Sequence, residues 1–127
     1  MSVTARRKDL LSFGTPIFFK DEKDSDPGVL KEILLSTIQT KKIYLAQVFA
    51  NAGQQGKISV WQRPVGGSGP TDVLLGDGRI SEAKPNFYFS WGPLVPILAG
   101  ERVIVKFDAL AGRPVTNVSA FIQAALP

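Results

Sequence analysis

Short apolar runs separated by glycine and proline limit what this sequence can fold into more than any other feature. The 127 residues include 12 glycines and 9 prolines. These residues fall mainly between the apolar runs, and such spacing is typical of a domain made of many short strands. We therefore expect an all-β chain without a long helix.

Alternation of apolar and polar side chains identifies the individual strands. It is clearest over 86–91, where Phe87, Phe89 and Trp91 share one face and Tyr88 lies on the other, because successive side chains of a strand point to opposite faces. The other predicted strands are Thr15–Lys20, Ile43–Asn51, Lys57–Arg63, Val73–Leu75, Arg102–Asp108 and a last strand within Val115–Leu126.

The strand Arg102–Asp108 carries apolar residues in both phases of its alternation. Its predicted inward residues are Val103, Val105 and Phe107, and its predicted outward residues are Arg102, Lys106 and Asp108. Ile104 falls on the outward side with the charges. An apolar position on the second face favours covering by another copy, so we expect a homo-oligomer, with a trimer favoured over a dimer.

Three segments are harder to interpret. Residues 29–38 have helical spacing as well as alternation, and we favour a strand. The charged segment 20–28 is predicted to be a loop because it has little to bury. Gly76-Asp77-Gly78 is predicted to close the short strand before it.

Seven or eight short strands with tight connections predict an antiparallel β-sandwich or jelly-roll. Each sheet of such a fold hides its apolar face against the other. The length fits one domain, which we place at 15–127. Residues 1–14 are predicted to form an extended N-terminal arm, with Gly14 and Pro16 marking its end.

The absence of cysteine and histidine excludes most enzymatic and metal chemistry. The chain has no Cys and no His, which removes thiol nucleophiles, thiolate zinc sites, His triads and His metal ligands. Most carboxylates are predicted in loops or at turns, and the acidic cluster within 21–26 lacks the spacing of a calcium loop. We therefore expect a protein that is not an enzyme, with no catalytic residue, metal site or cofactor.

The basic N-terminal segment is a candidate docking arm. The predicted docking residues are Arg6, Arg7, Lys8, Phe13, Ile17, Phe18 and Phe19. The charges would pair with acidic residues of another protein, and the apolar residues would anchor in a groove or add a strand to a neighbouring sheet. An ordinary solvated terminus is the alternative. Nucleic acid is an unexpected partner because three charges bind phosphate weakly.

Two aromatic residues are candidates for stacking against a ligand. Trp91 lies in phase with Phe87 and Phe89 and is predicted to be in the core. Trp61 and Tyr88 are the better exposed candidates for stacking on a sugar. The alternative for both is a place in the core or in a subunit interface.

The hydropathy pattern predicts a soluble protein made in the cytoplasm. No window reaches the roughly 18 continuous apolar residues of a membrane span, and the first 13 residues do not resemble a secretory signal. No membrane partner is expected.

Four segments, taken in order, resemble a group of small β-sandwich proteins encoded in the structural gene regions of tailed bacteriophages. They are ILLSTIQTKKIYLAQV (33–48), GDGRISEAKPNFYFSW (76–91), LAGERVIVKF (98–107) and GRPVTNVSAFIQA (112–124). The resemblance implies a virion component made in the host cytoplasm, chiefly a capsid decoration (cement) protein that binds the major coat protein. A tail or fibre module that binds carbohydrate is the alternative. The resemblance implies no catalytic residue.

Overall fold

Two antiparallel four-stranded sheets face each other and enclose the core. The structure, a computed structural model, describes residues 15–25, 30–34, 41–110, 112 and 114–126. Its strands are β1 (Thr15–Asp24), β2 (Leu30–Leu34), β3 (Ile43–Ala52), β4 (Gly56–Arg63), β5 (Val73–Ile80), β6 (Asn86–Ile97), β7 (Arg102–Ala109) and β8 (Asn117–Leu126). The first sheet has the order β1-β8-β3-β6 and the second the order β2-β7-β4-β5. The predicted antiparallel β-sandwich is confirmed.

The core is built from the alternate residues that each sheet turns toward the other. Its largest fully buried side chains include Phe107, Ile43, Leu45, Ile58, Ile80 and Ile97. Burial of each such side chain contributes about 1.5–3 kcal/mol. The predicted inward faces of β6 and β7 are confirmed, because Phe87, Phe89 and Trp91 pack together and Val103, Val105 and Phe107 are buried.

The predicted charged loop at 20–28 is wrong over its first part. β1 continues to Asp24, and its register with β8 ends at the pair Asp24 and Asn117. An edge strand needs backbone pairing with only one neighbour, so exposed charges such as Glu22 and Lys23 do not end it. The backbone at 30–34 is a strand, as favoured, and pairs with β7.

The predicted turn at Gly76-Asp77-Gly78 is also wrong. β5 passes through it to Ile80 and pairs with β4 along its length. The two glycines make room for core rings: a Cβ on Gly76 would lie 2.9 Å from Cδ1 of Phe89, and one on Gly78 would overlap the ring of Phe87. Glycine here permits a close approach of ring to backbone and does not end the strand.

Two predictions for β7 need correction. Lys106 has the predicted outward phase, but only 8% of its side chain is exposed, because Asp72 and Trp61 contact it on the outer side of the sheet. Ile104 is 0% exposed within the single chain, so it leaves no apolar surface for another copy to cover.

Candidate functional site

The outer face of the first sheet, called here the sheet-1 face, carries exposed aromatic side chains in one line across the strands. We call Phe121 of β8, Phe49 of β3 and Tyr88 of β6 the aromatic row. Phe49 is the direct cross-strand partner of both others, and the exposed fractions are 47%, 36% and 56% in that order. Surface aromatics in contact with one another are typical of an interaction site.

The geometry of the aromatic row follows from its register. The rings of Phe49 and Tyr88 meet edge to face, with centroids 6.0 Å apart and an interplanar angle of 67°. Lys20 of β1 is opposite Phe121 and continues the row to the edge of the sheet. Its Nζ lies 5.3 Å from the centroid of the Phe121 ring, within range of a cation–π interaction.

Amide and hydroxyl side chains flank the aromatic row on both sides. One flanking row runs Phe18, Gln123, Gln47, Ser90, and the other runs Glu22, Ser119, Asn51, Asn86. The Tyr88 hydroxyl donates to Oε1 of Gln47, and Nδ2 of Asn51 donates to Oδ1 of Asn86. The three rows of four residues contain two charges, Lys20 and Glu22, which have opposite sign and lie on the same edge strand. Beyond these rows, Asp24 is exposed on the same side of β1, and Lys42 Nζ lies 5.0 Å from the centroid of the Tyr44 ring.

The outer face of the second sheet has a different character, since a buried ion cluster lies on it. Asp72 accepts hydrogen bonds from Arg63 Nε at 2.8 Å and Nη2 at 2.9 Å, and its Oδ2 lies 2.8 Å from Lys106 Nζ. Lys106 Nζ is also 4.5 Å from the centroid of the Trp61 ring, whose Nε1 donates to Ser59 Oγ at 2.7 Å. We call Asp72, Arg63, Lys106 and Trp61 the Asp72 cluster.

The segment before β5 brings Asp72 to this cluster. It contains a 3₁₀ turn at Gly69–Thr71, and the Asp72 backbone N–H donates to Gly69 O at 3.2 Å. The hydroxyl and the backbone N–H of Thr71 both donate to the backbone oxygen of Ser68. These local bonds direct the Asp72 side chain onto the sheet, where none of it is exposed.

Opposing influences set the pKa of the Asp72 carboxyl. Burial raises it, while hydrogen bonds from Arg63 and Lys106 and the positive charges of both lower it. The net effect holds this pKa below its ordinary value, so Asp72 is ionised at neutral pH.

A shallow groove of about 370 Å³ lies beside the cluster on the same outer face. Its walls include Trp61, Leu74, Lys57, Asp77, Arg79 and Asp108. An aromatic ring surrounded by both acidic and basic groups suits a ligand with many hydroxyls.

The two predicted stacking residues do not form one surface. Trp61 lies on β4 of the second sheet, and Tyr88 lies on β6 of the first sheet. Both point away from the core, so they occupy opposite outer faces of the sandwich. Tyr88 instead belongs to the aromatic row.

The predicted docking residues divide into three groups. Arg6, Arg7, Lys8 and Phe13 lie outside the described residues. Ile17 and Phe19 pack against the chain's own core, because the alternation of β1 points them inward. Phe18 points outward, with 69% of it exposed, and joins the sheet-1 face.

Three functional features escaped sequence reasoning. Phe49 lies in a nearly continuous apolar run, which predicts burial on both faces. Phe121 lies between the polar Ser119 and Gln123 on the face of its strand opposite Val118, Ala120 and Ile122. The pairing of Asp72 with Arg63 and Lys106 depends on strand order, for which the sequence has no local signal.

Two further observations concern the described part of the chain. Within it, no group of three or more His, Cys, Asp or Glu side chains is placed to hold a metal ion. No helix among the same residues is long and apolar enough to cross a membrane.

Comparison with known proteins adds no relative. No family model matches this sequence, and no curated protein is significantly similar to it. The resemblance to phage structural proteins therefore stays a prediction.

Proposed function

We propose that this chain is a non-enzymatic structural protein of a bacteriophage virion, namely a capsid decoration protein that binds the coat lattice. The observation that carries the proposal is the sheet-1 face, whose charges lie at its edges and whose centre is the exposed aromatic row, because such a face suits adhesion to another protein subunit of the particle. Such a surface is depleted in charge and rich in aromatics, like the core of a protein–protein interface. The order of the four phage-like segments supports the virion setting.

The mechanism is adhesion by a rigid body. A sandwich with a closely packed core loses little conformational freedom when one of its faces is covered. Each copy therefore needs only modest buried area, and the repeated sites of a shell add many such contacts together. The protein in this proposal is made in the host cytoplasm and becomes part of the virion.

Charge supports the choice of an acidic coat surface as the partner. The chain has a formal net charge of +4, and the sheet-1 face contributes none of it, since the charges of Lys20 and Lys42 cancel those of Glu22 and Asp24. The basic segment Arg6-Arg7-Lys8 is part of the excess, which steers the protein toward acidic surfaces.

Cosedimentation with viral shells tests the proposal. Particles produced without this protein are mixed with the purified chain and sedimented at about 0.15 M and about 0.5 M salt, because high salt screens non-specific attraction. We expect the chain to pellet with the shells and to saturate at a fixed number per coat protein at both salt concentrations. A chain that stays in the supernatant with shells would overturn the proposal.

The groove beside Trp61 favours a second candidate function, a carbohydrate-binding module associated with a tail or fibre. Trp61 provides an aromatic wall, and Asp77 and Arg79 line the same groove with groups that hydrogen-bond hydroxyls. Aromatic contact with a sugar ring and a few directed hydrogen bonds are sufficient for such a site. Tyr88, the other predicted stacking residue, takes no part in it.

Glycan binding by matched variants tests this second function. We expect wild-type binding on a glycan array to fall at least tenfold in Trp61→Ala and to persist in Tyr88→Ala, which removes an aromatic ring from the opposite face. Asp77→Asn, a milder change in the same groove, should weaken binding without disturbing Trp61. Absence of binding to any glycan, or loss in Tyr88→Ala alone, rejects the groove as a sugar site.

A further inference from the structure

We propose that a second copy of this chain docks face to face on the sheet-1 face, about a twofold axis that runs parallel to the strands between β8 and β3. The inference rests on the proposed function, because it names the protein subunit that the sheet-1 face binds. The dimer is then the unit that binds the coat, and it does so through the basic segment Arg6-Arg7-Lys8 and the charged outer face of the second sheet.

The register across the sheet makes the aromatic row complementary to itself. This axis reverses the strand order, so β1 lies opposite β6 of the second copy and β8 lies opposite its β3. Phe121 of one copy then faces Phe49 of the other, and Lys20 faces Tyr88. Ring packs on ring, and the ammonium group, which already lies over Phe121, meets a second aromatic face.

The flanking rows are complementary under the same operation. Gln123 comes opposite Gln47, and Glu22 comes opposite Asn86. Each amide offers both donors and an acceptor, so these pairs can satisfy one another. No like charges meet, because the charges of the face lie on β1 and beside β3, and this axis places them opposite β6 and β8, which contain no charged residue.

The shape of the aromatic row favours a protein over a polysaccharide. The 67° angle between the Phe49 and Tyr88 rings presents edges as well as faces. Stacking on successive sugar rings needs coplanar aromatic faces, whereas packing between two β-sheets suits interdigitating side chains.

The area that the sheet-1 face offers is small for a specific interface, which favours a weak dimer. A fourth row, Pro16, Ala125, Tyr44 and Pro96, extends the face, with Lys42 Nζ over the Tyr44 ring. Four strands about 4.8 Å apart and four rows about 6.8 Å apart cover on the order of 500 Å² per copy, or about 1,000 Å² for the pair. This is the lower end for a specific interface, so we expect a dissociation constant on the order of 10 µM.

Sedimentation of the full chain over about 1–500 µM, a range that spans this constant, tests the inference. We expect wild type to shift from 13.7 kDa to twice that mass, and Phe121→Glu to weaken dimerisation at least tenfold. Leu110→Glu is the matched control, because Leu110 is also 47% exposed but lies off the sheet-1 face. It should dimerise like wild type. Circular dichroism confirms that each variant is folded.

Mixing two variants tests the axis itself, and Phe49→Lys measured alone keeps the test informative if Phe121→Glu fails to fold. Phe121 faces Phe49 of the second copy, so Phe121→Glu mixed with Phe49→Lys should form a heterodimer while each alone is weakened. A wild type that stays monomeric at 500 µM, a trimer, or a dimer that Phe121→Glu leaves intact would overturn the inference.

The result is separable from that of the shell experiment. A monomeric chain that still pellets with shells overturns the dimer and leaves the proposed function standing. A chain that dimerises but never binds shells overturns the proposed function and leaves the dimer standing.

Discussion

At the residue scale, one buried carboxylate joins three parts of the second sheet. Asp72 precedes β5, while its partners Arg63 and Lys106 belong to β4 and β7. Asp72→Asn removes the charge and leaves Lys106 buried without its counter-ion. Because breaking a buried pair typically costs 3–5 kcal/mol, we expect the free energy of unfolding in urea at pH 7 to fall by about 3 kcal/mol. Asp77→Asn on the same face, where the carboxylate is exposed, should change it by less than about 0.5 kcal/mol.

The pKa of Asp72 makes this loss depend on pH. Its pKa in the folded chain lies below the ordinary value of 3.8, so ionised Asp72 contributes stability that is fully present above about pH 3.8 and is lost as pH falls through the folded-state pKa. The difference between wild type and Asp72→Asn should therefore be constant between pH 5 and 7 and should shrink in acid. A difference that stays constant down to about pH 2 would contradict this account.

At the scale of elements, the packing of β5 of one sheet against β6 of the other depends on glycine. A Cβ on Gly78 would overlap the Phe87 ring, and that ring packs 4.7 Å from Phe89 by centroids. We expect Gly78→Ala to lower the free energy of unfolding by about 1–3 kcal/mol, because a packed ring has to move. Gly92→Ala is the control, since no atom lies within 4 Å of its added Cβ. Phe87→Leu should recover part of the Gly78→Ala loss; a purely additive double variant would show that the clash is not the cause.

The strands show how far sequence reasoning reaches at this scale. Alternation identified the inward residues of β6 and β7 correctly, because that pattern is fixed by strand geometry alone. It failed at 76–78 and at 20–24, where glycine and charge have two physical uses. A glycine is compatible with a turn or with a close contact between a ring and the backbone. A charged run is compatible with a loop or with an exposed edge strand. Only the neighbouring strand decides between these uses.

At the scale of the whole molecule, the two outer faces of the sandwich differ in kind. One carries the aromatic row, and the other carries the Asp72 cluster and the groove. Sequence periodicity assigns residues to the outside without saying which strands become neighbours. Phe121, Phe49 and Tyr88 are far apart in sequence and meet only because β8 and β6 flank β3. For this reason the sequence predicts the exposed apolar surface at Ile104 of the second sheet, whereas the structure has it on the first sheet.

Deletion of residues 1–14 separates the predicted docking arm from the sandwich. The ten residues of β1, from Thr15 to Asp24, all pair with β8, so the shortened chain should keep its circular-dichroism spectrum and its free energy of unfolding within about 0.5 kcal/mol. Its dimerisation should persist, because the sheet-1 face contains no deleted residue. Binding to shells should weaken, and replacement of Arg6, Arg7 and Lys8 by alanine in the full chain should reproduce most of the loss at low salt. Unchanged binding by both variants would reject the arm and leave the charged face of the second sheet as the surface that meets the coat.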